Sequence, residues 1–219
     1  MKKKFVLGLT SLVVASAVAI GGTLAYMTAH TVEKDNSFQA VGKLTGQIQE
    51  ITWDGIDFGG IQVTPATDPT LGQNIAKAMT PGMNIPKDPK LKNTSDSTVY
   101  MAMKVTYDAD AAKAFNKDGK QTVTLAEFTK DVGWTKVDSV TAQDGVVTEY
   151  YVFGTATDLT KVNAGTATSN LFSSVAINKD ATSDQIGGKS FDLKIRGSAV
   201  QSDLDCPTAI SQMEAALNS

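Results

Sequence analysis

Residues 98 to 107 read TVYMAMKVTY, and their alternation is the feature of the sequence that decides its fold class. In an extended chain successive side chains point to opposite faces, so every second residue shares one face. One face of this stretch carries Val99, Met101, Met103, Val105 and Tyr107. The opposite face carries Tyr100, Ala102, Lys104 and Thr106. A period of two over this length predicts a β-strand with one face in a core.

Two further stretches extend the β pattern. In FDLKIRG, residues 191 to 197, an inward set alternates with the charged residues Asp192, Lys194 and Arg196. The inward set is Phe191, Leu193 and Ile195. Residues 38 to 48 repeat the pattern more weakly, with Phe38, Ala40, Leu44 and Ile48 in phase. Each stretch predicts a strand.

The stretch WTKVDSVTAQDGVVTEYYVFG, residues 134 to 154, predicts a β-hairpin. Asp144 and Gly145 can occupy the positive-φ positions that a tight hairpin turn requires. The second strand, residues 146 to 153, is apolar on both faces. We therefore expect it to be a central strand that another layer covers.

Helices are few and short in this sequence. The stretch TLAE at 124 to 127 matches a capping box, and Leu125, Phe128 and Val132 follow at helical spacing. At the C-terminal end, Pro207 stands near a helix start, and one stripe carries Ile210, Met213 and Leu217. Residues 53 to 82 are rich in Gly, Pro, Thr and Asp and predict a long surface excursion. The expected fold is a single antiparallel jelly-roll-like β-sandwich with a few short helices.

The first 25 residues have the three parts of a secretory signal. Three lysines are followed by an apolar run from Phe5 to Ile20, and Thr23-Leu24-Ala25 supplies the small-x-Ala exit. A transmembrane anchor is the alternative, because the run approaches the roughly 20 apolar residues that such an anchor needs. Small residues in the run and the lack of a following basic cluster favour cleavage between Ala25 and Tyr26. The expected division is a signal peptide at 1–25, an N-terminal segment at 26–37 and a sandwich domain at 38–219.

Charge and cysteine content limit the possible partners. The whole chain carries 20 basic and 23 acidic residues, and the leader carries three lysines and no acid. The mature chain would then have 17 basic and 23 acidic residues, a net charge of −6. This balance argues against nucleic acid or an anionic membrane as a partner, leaving membrane contact to the uncleaved leader. The single cysteine, Cys206, excludes an intramolecular disulfide, and we expect it to be a small buried or half-buried residue.

The sequence offers little machinery for catalysis or metal binding. The one histidine, His30, stands five residues inside the expected mature end, where a catalytic base would be poorly held. One His and one distant Cys do not supply the ligands of a zinc site. The stretch NKDGKQTVTLAEF imitates a calcium loop, but its first and twelfth positions are Ala114 and Leu125, so a turn at Asp118-Gly119 is the better interpretation. We predict no catalytic residue, no metal and no cofactor.

Five aromatic residues admit two interpretations. They are Trp134, Tyr150, Tyr151, Phe153 and Phe172. Aromatic side chains can form a platform for carbohydrate, but they more often pack in a core or on a sheet face. We favour core packing.

Four stretches, taken in order, resemble the TasA/camelysin family of exported proteins. They are GGTLAYMTAHTVEKDNSFQAVGKL (21–44), MTPGMNIPKDPKLKNTSDSTVYMAMKV (79–105), EYYVFGTATDLTKVNAGTATSNLFSSVAI (149–177) and IRGSAVQSDL (195–204). The first is similar to the leader and first strand of proteins that a SipW-type signal peptidase processes. The resemblance implies a jelly-roll sandwich, export to the extracellular matrix or cell surface, and assembly with copies of itself into biofilm-matrix fibres. Residues 53 to 79 match no pattern of the family, and the metalloprotease activity described for camelysin-like members does not transfer, because no metal-ligand motif matches.

In fibre-forming members of the family, the mature N-terminal segment adds as a strand to a neighbouring subunit. Here that candidate donor strand carries Thr28, Thr31, Val32 and Phe38, begins at Tyr26 and contains no proline. An open sheet edge can pair with such a segment by β-augmentation, and a head-to-tail contact of this kind propagates unless it closes into a ring. The same segment is equally compatible with a disordered tail or with a strand of its own sheet.

Three functions therefore remain in competition. A structural fibre subunit is the leading hypothesis, and a monomeric surface-associated adhesin or binding protein is the second. A camelysin-like metalloprotease ranks behind both.

Overall fold

The computed structural model describes residues 44–78, 80–109, 116–117, 120–121, 133–181 and 193–219. The strands are β1 (Gly46–Gln49), β2 (Asn84–Pro86), β3 (Lys90–Asn93), β4 (Val99–Asp108), β5 (Asn116–Lys117), β6 (Lys120–Gln121), β7 (Trp134–Thr141), β8 (Val146–Thr155), β9 (Asp158–Leu159), β10 (Ser174–Ala176) and β11 (Lys194–Gln201). The helices are α1 (Ile51–Asp54), α2 (Gly72–Ile75) and α3 (Cys206–Asn218), and a 3₁₀ turn spans Ala76–Ala78. The fold is mainly β with few short helices, as predicted.

The long strands form one antiparallel sheet, called here the main sheet, in the order β11-β4-β8-β7. The short strand β9 pairs with the end of β8. The stretch that predicted the fold class is β4, and it lies inside the sheet between β11 and β8. The expected central position of β8 is also confirmed, since it lies between β4 and β7.

The two faces of β4 enter two different apolar clusters. The first face packs against Leu44, Ile48, Ile85 and Leu91, which belong to or adjoin the short strands β1, β2 and β3. We call this side of the main sheet the sandwich face. The second face packs Tyr100 and Ala102 against α3, and we call it the helix face. The alternation predicted for β4 is therefore confirmed, and its second face is covered as well.

Short antiparallel ladders form the layer opposite the sandwich face. β1 pairs with β3, and β2 pairs with β10. The outer side of β3 bonds further to the segment after β9, since Asn93 N–H donates to Thr166 O and Thr168 N–H donates to Leu91 O. All described ladders are antiparallel, while jelly-roll connectivity stays a prediction.

The C-terminal helix α3 begins and packs as its sequence indicates. Asp205 caps it, accepting from the Thr208 N–H at 3.0 Å, and Pro207 occupies its first turn, where no intrahelical N–H bond is lost. Its buried residues are Ala209, Met213, Ala216 and Leu217. Ile210 is half-buried and packs against the same cluster. The predicted stripe is thus the face of α3 that covers the main sheet.

The predicted hairpin of residues 134 to 154 and the predicted strand before the C-terminal helix occur in the described residues. β7 and β8 are joined by a turn in which the Gly145 N–H donates to Ala142 O, and Gly145 has a φ of 85°. Lys117 pairs with Lys120, and the predicted turn residues Asp118 and Gly119 between them lie outside the described residues. Of the predicted alternation at 191 to 197, β11 contains residues 194 to 197, and Leu193 precedes it. Leu193 and Ile195 pack against the sandwich-face cluster.

The excursion from residue 53 to 82 is largely exposed, as predicted, and is anchored at Leu71, which is 3% exposed. Phe191, Asp192 and the capping box at 124 to 127 lie outside the described residues. Within the described part of the chain, no helix is long and apolar enough to cross a membrane.

Candidate functional site

The residues predicted to act in export and assembly all precede the described part of the chain. They are Ala25, Tyr26, Thr28, Thr31, Val32 and Phe38, and the first described residue is Leu44. Their roles, and that of His30, stay predictions. The feature of the described residues that bears on strand addition is an edge of the main sheet.

The most exposed end of the main sheet is the second half of β7. On its inner side, Asp138 to Thr141 pair with β8 from Tyr150 to Val147. No described strand pairs with the outer side of β7. All four of these residues are exposed, and Val140 is 51% exposed, which is unusual for a branched aliphatic side chain. An added strand would cover this edge.

Two local features restrict access to this edge. The register of β7 against β8 shifts between Lys136 and Asp138, which leaves Val137 without an opposite residue. The Ser139 N–H donates to the side chain of its own neighbour, Asp138 Oδ1, at 2.8 Å. A bulge and a side chain that occupies an edge N–H are both devices that hinder uncontrolled strand pairing. A partner strand must therefore displace the Asp138 carboxylate from this N–H group.

A buried carboxylate ties β7 to the rest of the sheet. Glu149 on β8 is 0% exposed, and its Oε1 lies 3.2 Å from Lys136 Nζ on β7. The Tyr151 hydroxyl donates to Glu149 Oε2 at 2.6 Å, and the Tyr107 side chain also hydrogen-bonds to Glu149. Burial first, then the charge of Glu149 and the hydrogen bond to it, raises the pKa of both tyrosines well above the usual value. The phenols therefore stay protonated as donors, and the cluster holds the first half of β7 in register.

The opposite end strand, β11, is a poorer candidate. Its residues Gly197 to Val200 are buried, and β1 lies beside it. The end of β7 is thus the better site for an added strand among the described edges.

The aromatic residues form core rather than a platform. Trp134, Tyr150, Tyr151 and Phe172 are each at most 7% exposed. Trp134 packs against Phe153 with ring centroids 5.3 Å apart, and its indole N–H donates to Ser169 O. The preferred interpretation is confirmed, and a carbohydrate platform built from these residues is excluded by their burial.

A second polar cluster joins the end of β1 to the loop between β2 and β3. Lys87 Nζ lies 2.9 Å from Glu50 Oε2 and 4.3 Å from the centre of the Trp53 ring. Asp88 Oδ1 accepts from both the N–H and the hydroxyl of Thr52. Sequence reasoning singled out the Lys-Asp-Pro motif only as a family pattern and missed this role. The available signal was a lysine and an aspartate beside a proline immediately before a strand.

Two further features of the described residues concern possible metal ligands and the single cysteine. No group of three or more His, Cys, Asp or Glu side chains among the described residues could hold a metal ion. Cys206 is half-buried at the start of α3, as predicted, and packs against the helix-face cluster.

Comparison of the chain with protein-family models, with curated proteins and with solved structures found no match in any of the three.

Proposed function

We propose that this chain is an exported structural protein of the TasA/camelysin type, the subunit of an extracellular matrix fibre. A SipW-type signal peptidase would remove residues 1–25, and the freed N-terminal segment of one subunit would add as a strand to the next. The reactive chemistry of an enzyme has no part in this role.

The observation that carries the proposal is the exposed second half of β7. Its outer backbone groups face no described strand, and Val140 stands beside them half-exposed. A strand added there gains backbone hydrogen bonds and covers an aliphatic side chain. Because donor and acceptor are different surfaces of one chain, the contact is head-to-tail and propagates.

The donor segment is long enough for this contact. Tyr26 to Phe38 span thirteen residues, which extend over about 40 Å at roughly 3.3 Å each. The eight residues of β7 span only about 26 Å by the same rise. The remaining donor length can lead back to the subunit from which it comes.

Deletion of Tyr26 to Ser37 tests the proposal. The shortened protein should stay folded and monomeric, whereas the mature protein should form filaments visible by electron microscopy. A control in which the same twelve residues are replaced by a Gly/Ser sequence keeps the length and removes the β-propensity, and it should also stay monomeric. The free peptide from Tyr26 to Phe38 should slow filament growth of the mature protein by occupying the edge.

Two results would contradict the proposal. Filaments from the deletion variant would exclude the segment as the donor. A mature protein that stays monomeric at high concentration and binds a glycan or a host protein would instead support the adhesin hypothesis. Chelator-sensitive proteolysis by the pure protein would support the metalloprotease.

A further inference from the structure

The cluster around Lys87 places an amine against a carboxyl group in an enclosed site. Lys87 is 5% exposed, and its Nζ lies 2.9 Å from Glu50 Oε2. The carboxyl carbon of Glu50 is one bond beyond that oxygen. The two residues are 37 positions apart, which makes this a contact between distant parts of the chain.

The carboxyl group of Glu50 is incompletely satisfied. Its Oε1 is closed off from solvent and has no hydrogen-bond partner among the described residues. Its other oxygen, Oε2, accepts from Lys87 Nζ, and the Glu50 side chain is 16% exposed, so the charged form is only partly stabilised. Burial therefore raises the pKa of Glu50 above its usual value, which favours the protonated acid.

The groups around the pair act on the Glu50 carboxyl in opposite directions. Burial raises the pKa of Glu50, Lys87 opposes that shift, and the negative Asp54 and Asp88 add to it. The Trp53 ring, 4.3 Å from Lys87 Nζ, lies against the nitrogen in a cation–π contact. Trp53, Glu50 and Asp54 come from one short stretch, while Lys87 and Asp88 come from another, so the site exists only in the folded chain.

The other buried Lys-Glu pair of the described residues has a different character. Glu149 receives a hydrogen bond on each oxygen, from Lys136 on Oε1 and from Tyr151 on Oε2. Its carboxylate is thus stabilised in the charged form, and the side chain of Lys136 is 25% exposed. This pair serves as the internal comparison for Lys87 and Glu50.

We propose that Lys87 and Glu50 condense after folding into an intramolecular amide bond. A proton passes from the Lys87 ammonium to the Glu50 carboxylate within the pair. The resulting amine attacks the Glu50 carboxyl carbon, the carbon–hydroxyl bond breaks, and the hydroxyl leaves with a second proton from the nitrogen as water. The nitrogen keeps one hydrogen, and nothing is oxidised or reduced. Starting from the ammonium and the carboxylate, the pair loses one molecule of water. Positioning of the two groups supplies the effective concentration that the uncatalysed reaction lacks in solution, and exclusion of water disfavours hydrolysis of the product.

Such a bond would connect the end of β1 to the β2–β3 loop and close the whole excursion into a covalent ring. The chain has one cysteine and so has no disulfide of its own to do this. A cross-link of this type does not depend on the redox state of the surroundings. It would suit any exported β protein, and its existence does not depend on the fibre proposal.

Mass spectrometry of the denatured mature protein tests the inference. We expect an intact mass lower than that of the sequence by one water molecule. Trypsin should release one branched product in which residues 44–77 are joined to residues 78–90, because an amidated Lys87 is not a cleavage site. Lys87→Arg should restore the full mass, since a guanidinium does not condense with a carboxyl group under these conditions. Trypsin should then release residues 44–77 on their own and cut the second stretch after position 87 into residues 78–87 and 88–90. Lys136→Arg, the matched change in the other pair, should leave the mass deficit and the branched product in place.

The wild-type digest alone decides the matter if Lys87→Arg does not fold. Recovery of residues 44–77 as a separate unmodified peptide, together with the full intact mass, would overturn the proposal and leave an ordinary buried ion pair. A mass deficit that persists in folded Lys87→Arg would also overturn it, because the water would then be lost elsewhere.

Discussion

At the scale of single residues, the buried charge of Glu149 explains why its neighbours are important for stability. A carboxylate inside a core is destabilising unless its oxygens receive hydrogen bonds or a counter-charge. Glu149 meets this condition through Tyr151, Tyr107 and Lys136. Since these residues lie on β4, β7 and β8, the cluster also fixes the alignment of three strands.

Removing one donor from this cluster should be costly. Tyr151→Phe takes away the hydroxyl that donates to Glu149 Oε2 and leaves the ring in place. We expect a loss of about 1.5–3 kcal/mol in the free energy of unfolding, because the bond is made to a charged, buried acceptor. Urea denaturation measures this loss. Tyr150→Phe is the matched control, because the Tyr150 hydroxyl donates to Asn218 Oδ1 nearer the surface. Its removal should lower the free energy of unfolding by less than the removal of the Tyr151 hydroxyl. Equal losses in both variants would contradict the role given to Glu149.

The same cluster predicts how stability depends on pH. The pKa of Tyr151 is raised above its usual value of 10.0 by burial and then by the charge of Glu149. Below pH 10 both the folded and unfolded states keep the phenol protonated, so the contribution is fully present. Above that pH the unfolded state loses the proton while the folded state retains it, so stability falls as pH rises. The fall should be shallower in Tyr151→Phe.

The sequence contained part of this information. A strict period of two through residues 146 to 153 places Glu149 on the same face as Val147 and Tyr151, hence inward. Its charge argues for the opposite face, and only the positions of Lys136 and Tyr107 on neighbouring strands resolve the conflict. Glu50 and Lys87 could not have been paired by such reasoning, because 37 residues and a whole excursion separate them.

At the scale of elements, long periodic stretches were predictable and short ones were not. β4, the β7–β8 hairpin and α3 all follow from alternation, turn residues and a helical stripe. β1, β2, β3 and β10 have only three or four residues each, which is too short for a period to be recognised. These elements are specified by what they pack against, so the opposing layer of the sandwich could not be read from local sequence.

The edge strand β7 allows an element-level test of assembly. The Ala142 N–H donates to Val146 O, so in the register of β7 against β8 the Ser139 N–H points outward, where it donates to Asp138. Ser139→Pro therefore removes an edge donor and adds a bulky ring on the outer side. Filament growth should slow by roughly tenfold or more, the effect of losing about 1.4 kcal/mol at the contact. Asp138→Ala should act in the opposite direction by freeing that N–H group. Light scattering of the mature variants measures both rates.

A second proline substitution controls for damage to the fold. Gln143 follows Ala142 in the turn closed by the Gly145 N–H, a position at which proline is favoured. Gln143→Pro should therefore leave both stability and filament growth close to those of the unmodified protein. If Ser139→Pro assembles as fast as Gln143→Pro, the second half of β7 is not the acceptor edge.

At the scale of the whole molecule, the main sheet is covered on both faces and open at its end. Among the described residues, opposing ladders cover the sandwich face and α3 packs on the helix face, while the second half of β7 stays exposed. We therefore expect a filament of such subunits to grow by contacts at the edges of the main sheet. The alternation of residues predicted the β class and the composition gave the acidic balance, but the covering of the sheet depends on how distant segments meet.

The acidic balance gives a final prediction about assembly in solution. The mature subunit would carry 17 basic and 23 acidic residues, so each addition brings two net-negative molecules together. Salt screens this repulsion, because the Debye length shortens from about 30 Å at 0.01 M to about 8 Å at 0.15 M ionic strength. Strand addition itself relies on backbone hydrogen bonds and apolar contact, which salt in this range hardly weakens. Filaments should therefore grow faster at 0.15 M than at 0.01 M salt, as followed by light scattering at constant pH. Growth that slows with added salt would mean that opposite charges make the contact between subunits, and the edge of β7 would then be the wrong surface.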